Sequence, residues 1–348
     1  MSISNGKSIS LKELAALCGG KVIGDENTIV SSIASFDVAK EGELTFLTGT
    51  KNFQNNYNHL IEAKIAAVIT AESIPELPVP TIRLKNPHLG LIAALNFFQK
   101  KSKISYKIHP TAYVSETAVV ADDAIIGPNA VVEDGAVVGA KSHIEGCAYI
   151  GRFASIGKNT HIYPGVRILD YCVVGSNCII HSNTVIGSDG YGFAQDQGQH
   201  IKVPQLGNVI IEDNVEIGAC VTIDRATMES TIIGEGTKTD NQIHIAHNCE
   251  IGKKCLIVAQ SGISGGAKLG NYVVMAGKTG CIGHVKIGDG STILACGIVT
   301  NNVPDKSYVS GFPAKPHQEE LRIKGALRKL PDLLKKVKDL ENKINENK

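Results

Sequence analysis

From Ile108 onward the chain repeats itself every six residues. Ile108, Val114, Val120, Ile126, Val132, Val138, Ile144, Ile150, Ile156, Ile162, Ile168, Val174, Ile180 and Ile186 fall on one period, and every one is Ile or Val. Small residues such as Ala124, Ala130, Ala136 and Ala154 recur four positions after an anchor. Glycine often follows one, as at Gly127, Gly139 and Gly151. This period suits neither an amphipathic helix nor the simple alternation of a strand. A sustained fixed period identifies a repeat architecture. It fits a triangular solenoid, in which each hexad makes one flat face and its anchor points inward. Three hexads then close a coil of about 18 residues, and coils stack at the ~4.8 Å strand spacing. Composition agrees: a chain with no Trp and only 5% aromatic residues must fill its interior with small aliphatic layers.

The phase breaks over Ser188–Asn208, a Gly-rich stretch carrying Tyr191, Phe193 and Pro204. It restarts at Ile211, Ile217 and Ile223, slips through Met228–Thr231, and resumes at Ile233. From there it runs to Val299, with Thr239 and Cys281 as imperfect anchors. Three regions follow: residues 1–103, a small α/β domain; 104–313, the solenoid; and 314–348, a helical tail. In the first, Ser10 to Gly20 reads as a helix that Ser10 caps and Gly19-Gly20 stops. Leu44–Leu47, Ala66–Ile69 and Thr81–Leu84 are short strands. Asn86-Pro87 opens a second helix with Leu89 to Phe98 as its body. The polar run Lys100–Lys103 is the expected linker. In the tail, Ala326, Leu330, Leu333, Val337, Leu340 and Ile344 form a heptad seam, with Pro331 near the start of a helix of roughly 15–18 residues, marginal on its own. The seam serves either association with other subunits or docking on its own. Lys315, Arg322, Lys324, Arg328, Lys329, Lys335, Lys336 and Lys338 make the tail basic. That reads either as a solvated face or as a landing patch for an acidic protein.

Lys plus Arg number 35 and Asp plus Glu 34, so global charge gives no argument for nucleic-acid binding. The N-terminus lacks a signal-peptide run and no stretch has the length of a membrane span. Nine scattered cysteines fit a reducing cytoplasm rather than a disulfide framework. Cys147, Cys172, Cys178, Cys220, Cys249, Cys255 and Cys296 fall in or beside the small-residue slots of the repeat, as fillers. His244, His247, Cys249 and Cys255 are close in sequence, but Cys249 and Cys255 take the same slot on successive faces and point to different places, so they do not make a tetrahedral zinc set and no metal is expected.

The departure from monotony is Asp240-Asn-Gln-Ile-His-Ile-Ala-His-Asn-Cys-Glu-Ile-Gly252. One coil beyond His247 is Gly265, and one coil before His284 is Gly266. Two imidazoles thus frame a Gly-Gly floor where a backbone N–H and open space are available. Asp240 is the candidate to orient His247, while His244 is read as a solvated residue.

These features, with Gly187-Ser-Asp-Gly-Tyr-Gly-Phe-Ala194, Val215-Glu-Ile-Gly-Ala-Cys-Val-Thr-Ile-Asp-Arg225 and Ile245-Ala-His-Asn-Cys-Glu-Ile-Gly252, resemble the UDP-3-O-acylglucosamine N-acyltransferase family of lipid A biosynthesis. Its members are hexapeptide-repeat acyltransferases with a left-handed parallel β-helix. The resemblance implies a homotrimer with sites between subunits. It also implies transfer of an (R)-3-hydroxyacyl group from acyl carrier protein to the 2-amino group of UDP-3-O-acylglucosamine. His247 matches the general base, and an imidazole near neutral pH suits that role. The Gly265 N–H is the candidate oxyanion donor, and His284 serves substrate binding or polarisation. Phe46 matches the first uracil-packing aromatic; the second would fall at Asn52, with Phe53 and Tyr57 nearby. Ile298 and Thr300 fall where the family sets acyl-chain length, and being smaller than a methionine pair they leave room for a long chain. A zinc enzyme of the γ-carbonic anhydrase class shares the solenoid and is the rival. A non-catalytic solenoid for ice or a partner would need a regular Thr array, which is missing.

Overall fold

The computed structural model describes residues 2–49, 53–100 and 104–346. The chain divides into two compact units, residues 1–104 and 105–348.

The first unit is α/β. Its four-stranded sheet runs in the order Lys21–Ile23, Thr81–Leu84, Ala67–Ala71, Leu44–Leu47, parallel except for the first pairing. Helix α1 (Leu11–Cys18) opens with a complete capping box between Ser10 and Glu13 and ends on Gly19 in the left-handed region. Those contacts satisfy N–H and C=O groups that a helix end leaves without partners. A helix over Phe53–Glu62 was not expected from sequence. The last helix, Pro87–Phe98, starts on an Asn86 side-chain cap, with Pro87 where its missing N–H is harmless. Asn52 and Lys101–Lys103 lie outside the described residues.

The second unit is the solenoid. Among the described residues it forms three sheets of ten, nine and eleven strands, mostly two residues long and parallel throughout except where Lys315–Pro316 pairs antiparallel at the end of the eleven-strand sheet. Register partners one coil apart are 18 residues apart wherever the hexads are unbroken: His143 with His161, Val137 with Ser155, Tyr149 with Arg167. One residue of each strand points in and its neighbour out. The anchors from Ile126 to Val299 therefore form one buried column, Thr239 and Cys281 included. Full burial of such a side chain contributes roughly 1.5–3 kcal/mol, so stability is distributed evenly over coils that each touch only their neighbours.

Both interruptions leave the coil and return to it. After Val185–Ser188 the chain projects an antiparallel hairpin, Phe193–Asp196 with Gln199–Lys202, then rejoins so that Val174 pairs with Ile211. The second is a short bulge between Thr222–Asp224 and Ser230–Ile233. Corners of the coil hold residues with positive φ, many of them Asn; His284 is one, at 61°. Because this conformation recurs at corner after corner, it is no functional mark on His284.

Three cysteine expectations change. Cys172, Cys178, Cys249 and Cys255 are buried fillers, but Cys147, Cys220 and Cys296 are exposed corner residues. The tail changes too. It is one helix, α2 (His317–Glu346), and Pro331 lies well inside it instead of near its start. Proline removes one i→i−4 bond there, and the helix continues on both sides. Its first residue is held to the solenoid: His317 Nδ1 lies 3.1 Å from Ser310 Oγ and its ring meets Tyr308 edge-on. Beyond it Leu327, Leu330, Leu333, Leu334, Val337, Leu340 and Ile344 are all exposed. No described helix is long and apolar enough to cross a membrane.

Candidate active site

His247 stands at the corner between the ten-strand sheet (His244–Ile245) and the nine-strand sheet (Glu250–Ile251). Its ring lies across Gly265 of the next coil: a Cβ built on Gly265 would be 2.7 Å from His247 Nε2 and 2.9 Å from Cε1. A Cβ on Gly266 would likewise collide with the His284 ring. The two imidazoles therefore converge on the glycine pair from either side. From the excursion, Gly190 packs against the Cβ of His247, beside the buried side chain of Gln205.

The tautomer of His247 follows from its neighbour. Asn248 donates from Nδ2 to the Met228 carbonyl (3.0 Å), and its Oδ1 accepts the Thr227 N–H (3.0 Å). These two bonds assign the amide orientation. The same Oδ1 lies 3.1 Å from His247 Nδ1. An acceptor faces Nδ1, so in the neutral ring Nδ1 carries the hydrogen and Nε2 presents its lone pair toward Gly265. Asn248 thereby ties the ring to the bulge at Thr227–Met228.

The Gly265 N–H has no acceptor among the described residues. At another corner the side chain one coil on caps such groups: Asn271 Oδ1 accepts the Lys253 N–H, and Asp289 Oδ1 accepts that of Asn271. One coil beyond Gly265 stands Gly283, which has no side chain to offer.

Asp240 does not meet His247. It occupies the preceding corner, between Lys238–Thr239 and His244–Ile245, where its carboxylate accepts the Asn241 and Ala259 N–H groups. A step of one hexad leads to the next corner of the triangle, so sequence nearness became spatial separation. The carboxylate that does lie beside the histidines is Asp224. It is buried, takes a 2.8 Å bond from Ser188 Oγ, and sits 3.6 Å from His244 Nε2. His244 Nδ1 is 2.8 Å from Thr222 Oγ1. His244, read from sequence as a bystander, thus belongs to this cluster. Burial pushes the Asp224 carboxyl above its ordinary value, against the opposing pull of Ser188, His244 and His247.

The cysteines nearby are inert. Burial pushes Cys249 up to about 12 and also raises Cys255, which disfavours the thiolate a metal needs.

Ile298 and Thr300 lie on and just past the last strand of the ten-strand sheet, Ile298–Val299, both half-buried. The outward row in register with Ile298 is His244, Gly262, Gly280, Ile298. Two strands without outward side chains therefore lie between a histidine and an isoleucine. Sequence reasoning named Ile298 but missed this glycine strip. In the first unit Phe46 meets His88 edge-on at 5.3 Å. It also lines an open cleft of about 390 Å³ with Ile33, Phe36, Leu91 and Leu95.

Residues 153–188 match the family model for bacterial transferase hexapeptide (six repeats). The chain is 38% identical over 340 residues to the UDP-3-O-acylglucosamine N-acyltransferase of Anaeromyxobacter sp. (strain Fw109-5), covering 95% of each chain. It is 51% identical over 144 residues to the protein of that name from Methylobacterium sp. (strain 4-46); that match spans 41% of each. Among solved structures, a UDP-N-acetylglucosamine acyltransferase from Francisella novicida aligns with TM-score 0.50 and 27% identity, over 63% of this chain and 73% of that one. An Arabidopsis protein of that description reaches TM-score 0.55 at 22% identity, over 63% and 77%, a likeness of fold.

Proposed function

The chain belongs to the UDP-3-O-acylglucosamine N-acyltransferase family, and from that membership we propose that it moves an (R)-3-hydroxyacyl group from acyl carrier protein to the 2-amino group of UDP-3-O-(3-hydroxyacyl)-glucosamine in lipid A biosynthesis. The observation that supports the reading is the His247 ring laid across Gly265, its Nδ1 facing the Asn248 amide oxygen and the Gly265 N–H without an acceptor among the described residues. The amine attacks the thioester carbonyl and a C–N bond forms. His247 Nε2 takes the proton the nitrogen must shed. The oxyanion is held by the Gly265 N–H. Its collapse breaks the C–S bond, and the imidazolium returns its proton to the departing phosphopantetheine thiolate. His284, across the glycine pair, binds or polarises the substrate.

The acyl chain lies along the Gly262–Gly280 strip and ends near Ile298 and Thr300. Phe46 packs against uracil in its cleft. No bound cofactor takes part. The enzyme works as a homotrimer in the cytoplasm. The uncovered Leu330–Ile344 seam supports association, and the basic residues of the same helix support recognition of an acidic carrier protein.

The test is N-acyl transfer with UDP-3-O-(3-hydroxyacyl)-glucosamine and hydroxyacyl carrier protein, comparing wild type with His247→Ala. Turnover is expected to fall by ~10² or more, as for loss of a general base. Near-normal turnover in a folded variant removes His247 from this role.

A further inference from the structure

We propose that His143, Glu145 and His161 form a binding site for a borderline divalent cation of the Zn²⁺ type, on the outer face of the eleven-strand sheet and separate from the acyl-transfer site. His143 and His161 are register partners on adjacent parallel strands. Glu145 follows His143 by two residues and so shares its outward face. One donor atom from each of the three lies within 4.8 Å of the other two. The carboxylate is 2.8 Å from His161 Nε2 and 3.8 Å from His143 Nδ1. Bonds of ~2.0–2.2 Å to zinc put tetrahedral ligand atoms roughly 3.3–3.6 Å apart, so the Glu145–His161 edge opens slightly and the longer edges close.

The two rings stack at 4.8 Å with planes 22° apart, and Tyr163 stacks on His161 at 4.3 Å. Imidazole binds a metal through a lone pair in its own plane, so a shared ion requires at least one ring to turn out of the stack. All three side chains are partly buried, yet they remain open enough for water to complete the coordination. Two imidazoles and one carboxylate suit zinc, cobalt or nickel better than the all-oxygen shells of magnesium or calcium. The same face supplies an internal control. His181 lies 3.0 Å from Glu216 but brings only one imidazole to one carboxylate. Because His143 and Glu145 lie on one coil and His161 on the next, the ion would staple adjacent coils.

The test uses the full chain, stripped with a chelator and titrated with Zn²⁺ by calorimetry and thermal melting. One ion per chain is expected, with a dissociation constant on the order of micromolar, and zinc should raise the melting temperature. His161→Ala, and the nearly isosteric Glu145→Gln, should each weaken binding roughly tenfold or more and abolish that rise. His181→Ala should bind like wild type. Bound Co²⁺ should show d–d absorption without a thiolate charge-transfer band, which excludes the exposed Cys147, Cys220 and Cys296. Three results overturn the site: no saturable binding in the micromolar range, wild-type binding by both His161→Ala and Glu145→Gln, or a thiolate band.

Discussion

Adding one methyl group at Gly265 should separate catalysis from stability. In Gly265→Ala the new carbon would sit 2.7 Å from His247 Nε2, where ordinary contact begins at 3.4 Å. The backbone there is outside the left-handed region, so alanine brings no conformational strain. The Gly265 carbon is fixed by its coil, whereas the imidazole is the free end of a side chain. The ring is therefore what moves, by roughly 0.7 Å to restore ordinary contact. A misplacement of about 1 Å can cost on the order of 10² in rate, so kcat should fall ~10- to 100-fold. Stability should change by less than about 1 kcal/mol, since the clash is relieved outside the core. Gly277→Ala is the control. It lies at a different corner, and its added methyl would meet nothing closer than 3.8 Å. Thermal melts and steady-state acyl transfer on both variants decide the matter. Turnover of Gly265→Ala within about twofold of wild type, less than one general-base contact is worth, would refute the placement of Nε2 over this glycine. So would an equal loss in Gly277→Ala.

Asn248→Asp keeps an acceptor at His247 Nδ1 but gives it a charge. The imidazolium gains an opposite charge, so the acid limb of the kcat/KM profile should move to higher pH; an unmoved limb would detach Asn248 from the titrating base. Asp224→Asn should leave the fold as stable or more stable at neutral pH. The Asp224 carboxyl titrates above its ordinary 3.8 because burial disfavours its charge. The folded state then binds more protons than the unfolded state between 3.8 and that raised value, and stability falls as pH rises through the window. Asparagine removes that fall, which denaturant titrations from acid to neutral pH would detect; a less stable variant at neutral pH would contradict it. Gly280→Val fills the bare strip beside Ile298, so preference should shift toward shorter acyl donors in competition assays. Unchanged preference would place the acyl chain elsewhere.

Much of the fold is legible because one physical rule repeats. Each coil buries an Ile or Val at the same phase, and burial alone ranks those positions above their neighbours. The rule also carries some of the site. Since 18 residues return the chain to the same edge, His247 finds Gly265 and Gly266 finds His284 without any structure. What it could not carry is what breaks the period. The bulge after Asp224 lengthens one coil, so Thr222 pairs with His244 and not with a residue 18 positions on. Uncorrected for that slip, the ruler passed over Asp224 and favoured Asp240, which belongs to another corner. Gly190 reaches His247 only because the excursion folds back, and nothing periodic encodes where it lands. In the first unit, Phe53–Glu62 was missed because its three Asn residues, with Phe53, Tyr57 and His59, give it little helical propensity.

The departures from the repeat are therefore where chemistry collects, for a geometrical reason. At some corners a side chain from the next coil caps the backbone, as Asn271 does for Lys253 and Asp289 for Asn271. A glycine in that place leaves the N–H open, as Gly283 does above Gly265. To aim an imidazole, a coil must fix the ring from outside the repeat, as Asn248 does through the bulge at Thr227–Met228. The cluster at His143, Glu145 and His161 arises differently, from side chains laid in register along one face without any break in the hexads. Its period is legible in the sequence as two histidines one coil apart, but its third donor is recognisable only once strand direction puts Glu145 on the same side as both.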